Sequence, residues 1–244
     1  FFFKQKSAYE IMPSLVGSEM CIRDRILTVK KYSMKILMFS WNGEVDISQF
    51  DYDLCFLQRY NKRYAEQISY KNYYTNNYGQ RGLCIIDKNQ VALDVEVNQF
   101  DDYIIDVIDE NQGQYWQMLK VGKYKIINAS VCYPSNEMPE SVYYNQGKQL
   151  LNLIDDNTIV LTDLHNEDYE IEEEKVLSFK ERNLVNHLTE TKAFTNKENK
   201  QLSLDKIITT KNSNIKIKNI SVIKCVKEHS DYGHWPIQFE IQFA

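Results

Sequence analysis

Several stretches of this chain place a reactive side chain just behind an apolar run. Asn42 follows Lys35–Trp41, Gln58 and Arg59 follow Asp53–Leu57, and Tyr133 closes a run through Val131 and Cys132. Asp163, His165 and Asn166 follow Ile159–Leu161, and Ser230, Asp231 and His234 precede Pro236–Phe243. Carboxylate and amide oxygens are ligands for hard cations. Imidazole exchanges protons near neutral pH, and guanidinium grips anions through paired N–H groups. Each residue alone has a plainer reading: Asn42 caps a turn, Asp163 opens a loop, and His234 beside Trp235 is structural. The recurrence of polar groups at run ends points to a site, because α/β architectures assemble sites at strand ends.

The runs themselves set the elements that must position these groups. Lys35–Trp41 is continuously apolar and stops at Asn42-Gly43, a buried strand ending in a turn. Asp53–Leu57 and Gly82–Ile86 read as buried strands, with Asp87–Gln90 a turn after the second. Lys62–Tyr78 is rich in Tyr and Asn and reads as a short helix or strand plus loop. Val91–Val97 alternates apolar and polar residues, as a half-buried hairpin strand does, and Tyr103–Ile108 continues the pattern. Tyr115–Lys120 and Lys125–Val131 are expected strands joined by Val121-Gly122-Lys123. After Pro134, Val142, Gln146, Leu150, Leu151 and Ile154 fall at helical spacing. A second helix is expected over Phe179–Leu188. Ile159–Leu161, Leu204–Thr209, Ile215–Val226 and Pro236–Phe243 complete the strands. Many strands, few helices and no internal repeat give one α/β domain with mixed sheets or a two-sheet sandwich.

Composition excludes several classes. The chain has 244 residues, 43% apolar and 26% charged, which is ordinary globular usage for one or two domains and not that of a disordered or fibrous chain. No run of about 18 uncharged apolar residues occurs, so no membrane partner is expected. With 29 basic and 34 acidic residues the net charge is −5, which argues against tight non-specific DNA binding. Cys21, Cys55, Cys84, Cys132 and Cys225 form no C-x-x-C pair, so a zinc site is not expected. Free thiols inside apolar runs suit a reducing, intracellular and cytoplasmic setting.

Residues 1–25 stand apart. FFFKQKSAYEIMPSLVGSEMCIRDR resembles translated sequencing-adaptor read-through. Residues 1–33 are therefore expected to be a non-native leader, with the domain spanning 34–244 from Met34. Setting aside 1–25 removes four basic and three acidic residues and leaves 25 against 31, or −6.

The ordered motifs resemble the endonuclease/exonuclease/phosphatase superfamily, the deoxyribonuclease-I-like fold. MKILMFSWN is similar to its first strand and Asn, and DYDLCFLQR to the strand reading D-x-x-x-L-Q-E. INASVCYPS is similar to the strand ending in Tyr or His before Pro, and TIVLTDLHN to the G-D-x-N segment. SLDKII resembles the I-D-Y-I strand and SDYGHWPIQFEI the terminal S-D-H-x-P motif. The resemblance spans residues 34–243 and implies a four-layer α/β sandwich, two packed mixed sheets flanked by helices. It also implies a phosphoester substrate, nucleic acid included, cleaved with Mg²⁺ or Mn²⁺, and a His oriented by an Asp beside the scissile phosphate.

Carried over by position, the resemblance gives Asp163, Asp231, His234 and Tyr133 the catalytic roles. It gives Asn42, His165 and Asn166 contacts to phosphate, and Asn42, Asp163 and Asp231 the metal; Arg59 is assigned a phosphate contact by its own guanidinium chemistry. Three positions depart from the pattern. His165 takes the place of the Asn in G-D-x-N, with Asn166 adjacent, and Tyr232 takes the place of the final His. A bulge at Tyr232-Gly233 would bring His234 there, since Gly permits the required backbone. Arg59 stands where the metal-binding Glu belongs. A reversed charge there opposes a divalent ion, and two unit charges 4 Å apart at an effective dielectric near 20 interact by about 4 kcal/mol. The expectation is a phosphoester-binding protein with an eroded metal site. The rivals are an active Mg²⁺-dependent nuclease or phosphodiesterase and a non-catalytic scaffold. Asp163 and the acidic residues 167–174 read as a solvated loop, an outlying metal site or a wall that repels polyanions. Lys206, Lys211, Lys216, Lys218, Lys224 and Lys227 read as exposed charges that guard a sheet edge, in preference to a nucleic-acid contact.

Overall fold

In the computed structural model the chain divides into two units, Phe1–Tyr32 and Ser33–Ala244. The structure describes residues 33–41, 43, 45–61, 66, 68, 73–76, 82–89, 94–100, 115–131, 140–163, 179–188, 194–195, 201–202, 204–224 and 233–244. All belong to the second unit.

Two six-stranded mixed sheets make up its body. The first contains β1 (Ser33–Ser40), β2 (Leu54–Tyr60), β3 (Tyr73–Asn76), β4 (Gly82–Asp87), β13 (Ile215–Val222) and β15 (Ile237–Phe243), in the order β13-β15-β1-β2-β4-β3. The second contains β5 (Asp94–Gln99), β6 (Tyr115–Val121), β7 (Tyr124–Ser130), β8 (Thr158–Asp163), β9 (Leu184–Asn186) and β12 (Asp205–Thr210), in the order β5-β6-β7-β8-β12-β9. A small third sheet joins β10 (Phe194–Thr195), β11 (Gln201–Leu202) and β14 (Gly233–His234). Each large sheet has one parallel pair at its centre, β1 with β2 and β7 with β8. The β7–β8 crossover carries the helix α1 (Glu140–Asn152).

Period-2 alternation explains the layers. Met34, Ile36 and Met38 of β1, Leu54 and Phe56 of β2, Ile126 of β7, Ile159 and Leu161 of β8, Ile207 of β12 and Phe239 of β15 point into one core between the sheets. The opposite parity on the second sheet, Ile127, Ala129, Val160 and Ile208, packs beneath Val142, Tyr143, Leu150 and Leu151 of α1. On the first sheet the other parity, Leu37, Phe39, Cys55, Leu57, Cys84 and Ile86, packs with Trp41, Val45, Ile47 and Tyr52 of the β1–β2 connection. Truncating any one of these buried aliphatics to Ala is worth about 2–5 kcal/mol. The layered sandwich expected from the sequence is present, with strand predominating.

The helix expected after Pro134 is α1, and the 121–123 turn has Gly122 at φ 60. Cys55 and Cys84 are buried free thiols, whose burial pushes both well above the usual thiol range. Two expectations are corrected. Phe179–Leu188 is a turn followed by β9, not a helix. Leu184 packs beneath α1 while Leu188 joins the inter-sheet core, so these side chains share no helical face, and Asn183 at φ 57 turns the chain just before Leu184. Lys206 is fully buried, because β12 lies between β8 and β9 and is no edge. Lys216 and Lys218 are exposed on β13, which is an edge. Strand β13 ends at Val222, short of the expected Val226. Tyr103–Ile108 and Cys132 lie outside the described residues. Among the described residues no helix is long and apolar enough to cross a membrane.

Candidate active site

The inward-facing parity that builds the core turns polar at one end of the sandwich. Met34, Ile36 and Met38 are followed on the same face by Ser40, and Leu54 and Phe56 by Gln58. Ile126 is followed by Asn128 and Ser130, Ile159 and Leu161 by Asp163, and Ile207 is preceded by Asp205. All six polar residues are buried. Five of them lie at the C-terminal ends of the two parallel pairs, where α/β sheets place their sites, and Asp205 opens the antiparallel β12 beside them. Register aligns them: Ser40 is level with Gln58, and Ser130, Asp163 and Asp205 form one row across β7, β8 and β12.

Asp163 is the hub. Ser40 Oγ donates to its Oδ2 at 2.8 Å across the sandwich. Arg59 Nε lies 3.4 Å from the same oxygen, and His234 Nε2 lies 3.8 Å from it. His234 sits on β14, paired with Phe194 of β10. Its Nδ1 donates to the Asp205 carboxylate, 2.9 Å from Oδ2 and 3.2 Å from Oδ1. That bond fixes the ring and leaves Nε2 directed toward Asp163. A His held this way, beside a buried carboxylate, is able to donate or accept a proton at a bound group.

Arg59 reaches Asp163 from an irregular piece of backbone. Strand β2 shifts register against β4 between Leu57 and Tyr60, and Arg59 lies there at φ 55. A left-handed conformation costs a non-glycine residue about 1–2 kcal/mol. Such strain is held where surroundings over-determine it, commonly at functional sites.

Asp163, Asp205 and His234 each offer one ligand atom, all within 4.8 Å of one another, so the group is able to hold an ion. Each residue of the group already has an interaction in this arrangement: Ser40 and Arg59 meet Asp163 at Oδ2, and Asp205 holds His234 at Nδ1. Behind the row, on the α1 side of the sheet, lies Lys206. Burial lowers its pKa to about 6, and the negative charge of Asp163 partly offsets that fall.

Of the residues expected from the sequence, Asp163, His234 and Arg59 come together here. Asn42, Tyr133, His165, Asn166 and Asp231 lie outside the described residues. The Asp that orients His234 is Asp205, within SLDKII, to which the family resemblance assigns no role. Its sequence signal is an acid sharing the inward parity of Ile207 in an otherwise apolar strand. Ser40 and Asn128 carry the same signal on β1 and β7.

No protein-family model matches the chain, and no match to a curated protein is found. Solved structures do match. A humanized D. rerio TDP2 superposes with a TM-score of 0.59 at 14% identity, over 86% of this chain and 98% of that one. The 3′ phosphatase NExo from Neisseria, bound to a product DNA hairpin, gives a TM-score of 0.58 at 13% identity, over 86% and 99%. An endonuclease/exonuclease/phosphatase from Beutenbergia cavernae gives 0.56 at 10%, over 87% and 72%. These neighbours share the fold; one is named as a 3′ phosphatase and another as an endonuclease/exonuclease/phosphatase.

Proposed function

From the deoxyribonuclease-I-like fold of the endonuclease/exonuclease/phosphatase superfamily that this chain has, we propose that it recognises phosphoesters at the Asp163–Asp205–His234 cluster, with Arg59 standing in for the divalent ion. The observation that carries the reading is the Arg59 Nε–Asp163 Oδ2 distance of 3.4 Å. A guanidinium there already supplies positive charge against the buried carboxylate. A dication beside it meets a repulsion of about 8 kcal/mol at 4 Å and an effective dielectric near 20. The residues present therefore do not fit tight Mg²⁺ or Mn²⁺ binding of the kind the fold's relatives imply. Arg59 instead offers N–H donors to a phosphoryl oxygen, and His234 offers a proton position beside it. Nucleic acid is one candidate substrate class, by analogy with the DNA product named for the Neisseria neighbour.

The intact Asp205–His234 bond favours a second reading, a working hydrolase. One experiment separates the two. Mg²⁺ and Mn²⁺ are titrated calorimetrically into the protein while hydrolysis of bis-p-nitrophenyl phosphate is followed. The first reading expects weak metal binding and little turnover, with phosphate binding retained. Strong metal-dependent turnover, removed by Asp163→Ala, would overturn it in favour of the second.

A further inference from the structure

We infer that Asn128 is a positioning residue: from the opposite sheet it clamps the irregular end of β2 and so aims Arg59 at Asp163. The inference rests on the reading that Arg59 receives a phosphoryl oxygen. It starts from the register. Leu57 pairs with Cys84 and Tyr60 with Gly82, so Gln58 and Arg59 on β2 face Leu83 alone on β4. Two residues opposite one is a bulge, which interrupts the ladder and re-aims a side chain. Arg59 is the bulged residue with the left-handed backbone, φ 55.

Asn128 lies on β7, in the other sheet, and is fully buried. Its Nδ2 donates to the carbonyl of Leu57 at 3.2 Å and lies 3.4 Å from the carbonyl of Cys84, the residue pair that borders the bulge. Its Oδ1 accepts from Gln58 Nε2 at 2.8 Å. The remaining contact, Nδ2 to Gln117 Oε1 at 3.2 Å, holds the amide from its own sheet. The amide group therefore grips residues 57, 58 and 84 together, immediately before the chain turns into Arg59. An apolar residue at 128 has no donor for the two carbonyls and no acceptor for Gln58, and buried polar groups left without partners move or open the local structure. With the bulge loosened, the regular extended backbone becomes accessible to residue 59, and its side chain leaves Asp163.

The test is nitrogen NMR of the Arg59 Nε–H signal in the intact chain, identified by its loss in Arg59→Ala, with inorganic phosphate titrated. Asn128→Ala is expected to move that signal in the ligand-free protein to the position of a solvent-exposed arginine. Phosphate affinity is expected to fall about tenfold, the scale of one charge-assisted hydrogen bond. The double variant should bind phosphate no more weakly than Arg59→Ala alone. A merely structural Asn128 lowers the melting temperature, leaves the Arg59 signal in place, and gives effects that multiply; that result overturns the clamp. If the signal moves but neither single variant changes phosphate binding, the clamp stands and the phosphate reading of Arg59 falls. Should Asn128→Ala not fold, hydrogen exchange of the Asn128 side-chain amide in the wild type decides: protection supports the clamp, and exchange at the rate of a free amide overturns it.

Discussion

Ser40 and Asp163, 123 positions apart in the sequence, meet across the two sheets, Oγ to Oδ2 at 2.8 Å. Each is the last inward-facing residue of a central parallel strand, after Met34, Ile36 and Met38 on β1 and after Ile159 and Leu161 on β8. The alternation that fills the core thus delivers a hydroxyl and a carboxylate to the same place. The same geometry brings Arg59 and His234 to the carboxylate oxygen that Ser40 holds.

Ser40→Ala should therefore disturb more than its small volume suggests. It removes a donor from a buried carboxylate, a loss worth about 1–3 kcal/mol. Urea unfolding is expected to show a lower midpoint with an unchanged slope, and Ser40→Thr, which keeps the hydroxyl, should recover most of the difference. An unchanged midpoint in Ser40→Ala would mean that this bond contributes nothing net.

Arg59→Glu reverses the charge beside Asp163 and should create a dependence on divalent ions. Without metal, two carboxylates a few ångströms apart repel by about 4 kcal/mol at an effective dielectric near 20, so the variant is expected to melt below the wild type in EDTA. Mn²⁺ should restore its melting temperature in a saturable way, because an ion that binds only the folded state stabilises it. The wild type is expected to show no such rise. A wild-type protein that Mn²⁺ stabilises by several degrees would refute the displaced ion.

How much of this was legible follows from what each signal depends on. Continuous apolar runs such as Lys35–Trp41 and Gly82–Ile86 announce buried strands locally, and β1 and β4 lie where the runs lie. Asp163 and His234 were found because they stand at run ends. Asp205 was not, because it opens β12 beside Lys206, a charge the sequence reads as guarding an exposed sheet edge. Only the pairing of β12 between β8 and β9, a long-range fact, buries both. The left-handed backbone at Arg59 has no sequence signature, since it arises from a bulge that a second sheet supports. Carrying parity to the end of each strand joins Ser40, Asn128 and Asp205 to Gln58 and Asp163.

Asp205→Asn should separate orientation from binding. The amide keeps the shape but lacks the charge that holds Nδ1–H of His234, 2.9 Å away. If the protein hydrolyses phosphodiesters, kcat is expected to fall by about 10²-fold, within the range of general acid–base contributions, while KM changes little. Steady-state kinetics on bis-p-nitrophenyl phosphate checks this, and an unchanged kcat would remove His234 from the chemistry.

Lys206 sets a pH dependence whose sign is fixed by burial. Its pKa is lowered to about 6 from the ordinary 10.5, chiefly by loss of water, with Asp163 opposing the fall. Between those values the unfolded chain binds a proton at this side chain that the folded chain does not. Stability from this group therefore rises with pH from about 6 to 10.5 and is flat outside that window. Lys206→Met has similar length and no titration. The difference in melting temperature, variant minus wild type, is expected to be largest near pH 6 and to shrink steadily toward pH 10. Differential scanning calorimetry across that range checks it, and subtracting the two curves cancels the other lysines. A difference that stays constant with pH would mean that Lys206 keeps its proton in the folded protein, paired with the charge of Asp163 through the sheet.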